Sequence, residues 1–437
     1  MTNLVVRQWL ITTGSSVAAA ALGIASGIIV ARSLDPAARG ELAQIMIPAA
    51  LLSNLALFGL PATATQLAAT TTNERDLERR CLQVAAVTVS IGTITGLSVL
   101  LTRRNPSELA ALYVVILIPS HVISMTLLSI DAGRLRVGRN SVFRMLQVAG
   151  YFIALLLLTT AGKVSANAVL LAHCLSVSAV ALARLTVRAP HSSSPDTEKI
   201  KTSVWARAVA FFMPSLAQLA QSEADKLVGL ALFVPEVLGL YVVALTFARA
   251  PIALASSGFS ALLLPRVARA AAGPDRARMV ARFFRLSLLG NLLVAALAIA
   301  AMPVALPLTV GHQYSGAVHL AQILALSGVF FAMRSIVEFA LNGAGDWRGM
   351  MSSYLVEIAI FALAVLPLSR FGAVGIAGAA TLSSFFGLMY SLLAVRRRLG
   401  VQLRWVWPLN RATFADAYSL ATLAIKLILG GKPHRAS

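Results

Sequence analysis

The chain has 437 residues, 58% of them hydrophobic and 12% charged, with a formal charge of +20 and a mean hydropathy of +0.80. Soluble domains run at about 45–50% apolar and about 25% charged, so a water-soluble globular protein is excluded. A basic excess of this size would suit nucleic acid, but its placement along the chain assigns it to membrane topology instead.

Apolar runs close to the roughly 20 residues needed to cross a bilayer fall at 8–31, 41–69, 81–102, 108–130, 140–160 and 165–187. Six more follow at 204–234, 237–262, 280–302, 316–341, 349–370 and 373–395. Backbone polar groups in hydrocarbon must be satisfied internally, so these runs predict an all-α fold of about twelve transmembrane helices. The first run is too long for a signal-peptide core and no A-x-A site follows it, so it is expected to remain as a span. Prolines at Pro48, Pro61, Pro119, Pro214, Pro251 and Pro303 remove backbone hydrogen bonds and predict kinks. Cys81 and Cys174 lie in or beside different spans without CxxC spacing and read as small core residues.

Lys and Arg fix the orientation. With both termini on the cytoplasmic side, 28 of the 37 lie on inner connections, six on outer ones, and Lys226, Arg249 and Arg334 within spans. This bias follows the positive-inside rule and predicts a multi-pass protein of a bacterial inner membrane. It leaves the inner loops facing anionic lipid.

The chain also echoes itself. Ala132-Gly133-Arg134-Leu135-Arg136 ends the fourth span and Ala344-Gly345-Asp346-Trp347-Arg348 the tenth; Pro36 and Gly40 follow the first, Pro235 and Gly239 the seventh; Gly162 and Val164 precede the sixth, Gly372 and Val374 the twelfth. Three matches in order, each roughly 200 residues apart, predict two pseudo-symmetric six-helix bundles inserted the same way around a central cleft. The division is 1–190 for the first bundle, 191–203 for a cytoplasmic linker, 204–398 for the second, and 399–437 for a basic tail. The stretch 412–429 carries Asp416 and Lys426 and reads as an interfacial helix rather than a thirteenth span.

Several stretches resemble bacterial polysaccharide-biosynthesis flippases. ARSLDPAARGELAQIMIPAALLSNLALFGLPATATQLAA is similar to the first hairpin of that family, with Asp35 where the family's turn has glycine. EADKLVGLALFVPEVLGLYVVALTFARAP resembles its seventh and eighth helices, and LLLPRVARAAAGPDRARMVARFFR the loop that follows. LNGAGDWRGMMSSYLVEIAIFALAVLPLSRFGAVGIAGAATLSS resembles the tenth to twelfth. The resemblance covers about residues 5–398. It implies the MATE-like fold of the multidrug/oligosaccharidyl-lipid/polysaccharide exporter superfamily. It also implies a substrate, an undecaprenyl-pyrophosphate-linked oligosaccharide flipped to the periplasmic leaflet for exopolysaccharide or lipopolysaccharide synthesis. A polysaccharide polymerase and glycosyltransferases would be its partners. Peptidoglycan-precursor flippases and drug/cation antiporters share the architecture and stay open as alternatives. A membrane glycosyltransferase or polymerase would usually place catalytic residues on a large external loop. Here the outer connections are short and hold no nucleophile constellation or metal cluster, so the chain reads as no enzyme, with no cofactor or metal.

Ionisable groups in mid-bilayer cost about 2.5–3.5 kcal/mol on insertion scales and need a reason. The spans hold Glu223, Asp225, Lys226, Arg249, Arg334, Glu338 and Glu357. Ser215, Gln218, Ser222 and Asp225 share one helix face, expected to line the cleft or to seam two helices together. Asp225 and Arg249 lie at matching depths on antiparallel neighbours, about 15 Å down. They are expected to pair, or Arg249 to hold a substrate phosphate through its two parallel donors. Arg334 is a further cleft candidate, or pairs with Glu338 one turn away; Glu223 pairs with Lys226 in the same way. Three cations against four anions leave a formal charge of −1, so the acids Glu223, Asp225, Glu338 and Glu357 are neutral, pair, or carry a coupling ion, Na+ or H+.

Overall fold

The computed structural model describes residues 3–71, 73–101, 108–187, 203–269, 273–344 and 346–406. The linker 191–203, apart from Ser203, and the stretch 412–429 lie outside the described residues. Helices α1 (Asn3–Ser33), α2 (Pro36–Ala56), α3 (Leu60–Thr70), α4 (Glu74–Leu101), α5 (Glu108–Gly133), α6 (Val137–Thr160) and α7 (Ala166–Thr186) form one half. The other consists of α8 (Val204–Leu232), α9 (Pro235–Arg269), α10 (Pro274–Val310), α11 (Ala317–Gly343), α12 (Trp347–Leu368) and α13 (Gly372–Leu399). No strand occurs among the described residues.

Among the described residues, ten stretches are long and apolar enough to cross a membrane. The last, 348–399, is two helices, α12 and α13, folded back on each other at Ser369–Phe371. The 29-residue α8 falls outside the ten, and Glu223, Asp225 and Lys226 crowd its second half. Counting α2 and α3 as one broken span, the described residues of this multi-pass membrane protein make twelve passes. Large apolar side chains on its outside, among them Ile94, Val304, Leu363 and Leu366, are exposed, as lipid-facing positions should be.

Local chemistry sets the helix ends. Asp35 caps α2, accepting the Ala38 N–H at 2.7 Å ahead of Pro36, so the departure from glycine at this turn is a helix cap. Ser165, Ser203 and Asp346 cap α7, α8 and α12 in the same way. The expected kink at Pro61 is not found: Pro61 lies in the first turn of α3, where its missing N–H costs nothing. The second span instead breaks just ahead of it, at Phe58 (φ +46°) and Gly59 (φ +71°).

The halves repeat. α5 packs on the α2–α3 span, α4 and α7, and α6 packs on α1 and α7; in the second half α11 packs on α9, α10 and α13, and α12 packs on α8 and α13. Advancing each helix by six spans turns one neighbour pattern into the other. Each half has its own apolar interior, one around Leu42, Leu117, Ile118 and Leu155, the other around Tyr241, Leu324, Ile336 and Ile376.

Across the divide, α2 runs against α9. The echoed Pro-Gly pairs meet there: a Cβ on Gly40 would lie 1.6 Å from the Pro235 carbonyl oxygen, and one on Gly239 2.0 Å from that of Pro36. Only glycine permits two backbones so close. This seals the halves together at the end opposite the basic face, the one bearing Arg79, Arg80, Arg136 and Arg139. Tyr314 adds a tie at the sealed end, its hydroxyl donating to the Leu34 carbonyl at 2.8 Å; burial pushes this phenol up to about 12.

Candidate functional site

Between the halves lies a cavity of about 430 Å³, walled by the α2–α3 break, by α8 from Phe212 to Glu223, and by α11 from Phe331 to Glu338. Ser215, Gln218, Ser222, Glu223, Arg334 and Glu338 supply its polar lining. Asp225 does not join Ser215, Gln218 and Ser222 on this wall, contrary to the expected single stripe. Buried to 3% exposure, it turns into the second half, where a chamber of about 20 Å³ is lined by Gln221, Asp225, Arg249, Glu357, Ser383 and Ser384 among others. That is room for one water-sized body. Gln221, one turn before Asp225 on α8, lines both spaces and stands at their boundary.

The two sites share one ionic network. Arg249 Nη2 meets Asp225 Oδ2 at 2.9 Å, the same oxygen that accepts the Tyr241 hydroxyl at 3.2 Å. Arg334, 1% exposed, is held on three sides. Its Nη1 binds Glu357, its Nη2 donates to Gln221 at 2.7 Å, and its Nε stands 2.9 Å from Glu338 Oε1. The Gln221 amide nitrogen donates to Glu357 at 2.8 Å, Ser384 donates to the same oxygen at 3.0 Å, and Tyr354 donates to Glu338 at 3.2 Å. The Phe331 ring lies between the two guanidiniums, 5.9 Å from Arg249 and 5.1 Å from Arg334, in cation–π range of both. Lys226 and Glu223 pair separately at 2.5 Å.

The expected pairs Asp225–Arg249, Arg334–Glu338 and Glu223–Lys226 therefore all form. The reach of Glu357 to Arg334 is not among those expectations, and neither is a site role for Gln221, Tyr354 or Phe331. Buried ions of opposite sign are tolerable only when hydrogen bonds complete their shells; here most positions are filled, while Arg249 Nε, Arg334 Nε and Glu338 Oε1 carry no hydrogen bond. With three carboxylates against two guanidiniums, the cluster around Phe331 keeps one negative charge in excess.

The first half has a different polar interior. Tyr113 and His173 share a 2.7 Å hydrogen bond, Tyr151 meets His173 edge-on at 5.3 Å, and Ser120 and Ser178 bond at 2.9 Å.

At the basic face the arginines do not all face lipid, as the charge count led one to expect. Asp131, wholly buried, takes Arg184 Nε at 2.8 Å and also binds Arg139; Arg184 reaches Glu78 at 3.1 Å. Arg136 grips both oxygens of Glu74, which raises its already high pKa. These residues sit at span ends, where a charge reads as a topology signal, and this hid the network; the juxtaposition of Asp131 with Arg134, Arg136 and Arg139 was the available clue.

No family model and no curated sequence matches the chain. Solved structures do. A structure of "Lipid II flippase MurJ, inward closed conformation" superposes with a TM-score of 0.70 at 12% identity, covering 89% of this chain and 87% of that one. The MATE multidrug transporter DinF-BH gives 0.65 at 13%, covering 91% and 96%. An inward-facing multidrug resistance MATE transporter of the MOP superfamily gives 0.63 at 15%, covering 87% and 94%. The chain thus has the fold seen in solved structures of the lipid II flippase MurJ and of MATE transporters.

Proposed function

We propose that the protein is a flippase that moves an undecaprenyl-pyrophosphate-linked oligosaccharide from the cytoplasmic to the outer leaflet of the inner membrane, supplying a surface-polysaccharide polymerase. The observation that carries this reading is the juxtaposition of a polar cavity between two like halves with a neighbouring charge-compensated chamber. The cavity has the size of small-molecule sites and suits the polar end of an amphiphile while the tail stays in lipid. Gln218, Ser222 and Arg334 are its binding residues.

Arg249 and Asp225 couple binding to an ion gradient. In this state they neutralise each other. Export against an inward Na+ or H+ gradient needs the two to alternate: the phosphate draws the planar fork of Arg249 off Asp225 for the outward step, and the cation takes Asp225 for the return. Glu357, on the opposite wall of the chamber, shares that cation. The likeness to a lipid II flippase favours, as a second reading, a peptidoglycan precursor with the same pyrophosphate and a different glycan.

The test is a chromosomal Arg249→Ala replacement. Surface polysaccharide is expected to disappear, with lipid-linked glycan accumulating on the inner leaflet and the protein still inserted at normal levels. Wild-type polysaccharide would remove Arg249 from the mechanism. Accumulated lipid II with intact polysaccharide would select the second reading.

A further inference from the structure

On the flank of the molecule, α4 and the start of α8 enclose an open groove of about 470 Å³. Arg80, Gln83 and Ser203 give it a polar rim at the basic face, while Val87 and Trp205 make an apolar wall. Trp205 and Val87 are both exposed on this side, and Arg80 is partly covered by Asp76 at 2.9 Å. A polar rim with one arginine above an apolar trough has the profile of an isoprenoid phosphate lying at the membrane interface.

A pair of stacked side chains separates the groove from the central cavity. Phe58 lines the cavity, and its ring stacks on Trp205 of the groove, centroids 5.1 Å apart, with Phe212 at 4.5 Å. The backbone behind this wall is under strain: a bulky residue seldom adopts a φ of +46°. Gly59 lets the turn approach the Ala208 carbonyl, which a Cβ would meet at 2.4 Å. Phe58 is therefore held shut by its contacts with α8 and not by its own conformational preference, as a hinged closure requires.

We propose that the α4–α8 groove docks the phosphate and tail of the lipid substrate, and that the Phe58–Trp205 pair is the door through which the head group passes sideways into the cavity. This rests on the flippase reading and adds the route.

The experiment uses full-length protein in liposomes with one probe, fluorescent undecaprenyl-pyrophosphate-linked N-acetylglucosamine. A photo-crosslinking amino acid replaces Val87 in the groove or Gln218 in the cavity. The seam is locked through Gln66→Cys and Arg207→Cys, whose native side chains meet at 3.2 Å across α3 and α8. A reducible bifunctional thiol reagent bridges them in a Cys81→Ser, Cys174→Ser background. Bridging should leave capture at 87 intact and cut capture at 218 at least tenfold, with recovery on reduction. Arg80→Gln should weaken capture at 87 severalfold and leave capture of undecaprenol unchanged. Capture at 218 that ignores the bridge, or none at 87, overturns the door. Capture at both positions with no flipping of the probe would instead overturn the flippase reading and leave the route standing.

Discussion

Replacing Gly40 with alanine tests how the sealed end is held. The new Cβ would stand 1.6 Å from the Pro235 carbonyl oxygen, against 3.4 Å or more for ordinary contact. No rotamer relieves an overlap between a Cβ and a main chain, so the starts of α2 and α9 must part by about 2 Å. Overpacking of this kind costs about 1–3 kcal/mol, and here the cost falls on the sealed state alone. The ratio of open to sealed molecules should then rise roughly tenfold to a hundredfold. Ala43, one turn further along the same face and 4% exposed, makes a reporter as Ala43→Cys in a background lacking Cys81 and Cys174. Its reaction with a hydrophilic maleimide should accelerate by that factor in Gly40→Ala. Gly239→Ala should do the same, and the double variant should add little, because the two contacts are parts of one seam. Unchanged labelling together with an unchanged thermal midpoint would show that the helices do not bear on each other there.

Three further outcomes are expected. Leu135 holds a φ of +55° with its side chain largely exposed. Leu135→Gly should therefore stabilise by about 1 kcal/mol, visible as a raised thermal midpoint in detergent, and a fall would contradict it. Asp131→Asn leaves Arg184 and Arg139 without their shared buried carboxylate. It should cost about 3–5 kcal/mol in thermal or denaturant unfolding, while Asp275→Asn, in an exposed pair with Arg278, should cost nothing measurable. Tyr314→Phe removes the bond to Leu34 and should cost about 1 kcal/mol and speed labelling at the sealed end; an unchanged rate would exclude Tyr314 from the closure.

Much of this architecture could be read from residue order. Apolar runs and the sidedness of arginine located all twelve passes because both follow from the bilayer's thickness and charge, which act on local sequence. The Pro36–Gly40 and Pro235–Gly239 echo, visible in the sequence only as a repeat, is the contact between the halves. Asp225 and Arg249 pair as their depths on consecutive antiparallel helices require, an inference that needs no knowledge of packing. What stayed hidden depends on helix rotation and on partners distant in the chain. Glu357 reaches Arg334 from α12, and Gln221 joins them from the boundary between cavity and chamber. The break at Phe58 escapes the sequence for another reason: proline announces a lost hydrogen bond, but nothing about phenylalanine announces a left-handed turn.

The surplus negative charge around Phe331 has an electrical consequence. A single charge crossing the full membrane potential changes energy by about 2.3 kcal/mol per 100 mV. Any rocking of α8, α9, α11 and α12 that carries Asp225, Glu338 and Glu357 with Arg249 and Arg334 through part of that field does work in proportion. Loaded with one monovalent cation the cluster is neutral, and its movement becomes indifferent to voltage. Without the cation it is driven by voltage, so in the cycle proposed above transport current measured across a planar bilayer should arise in the half that carries no cation.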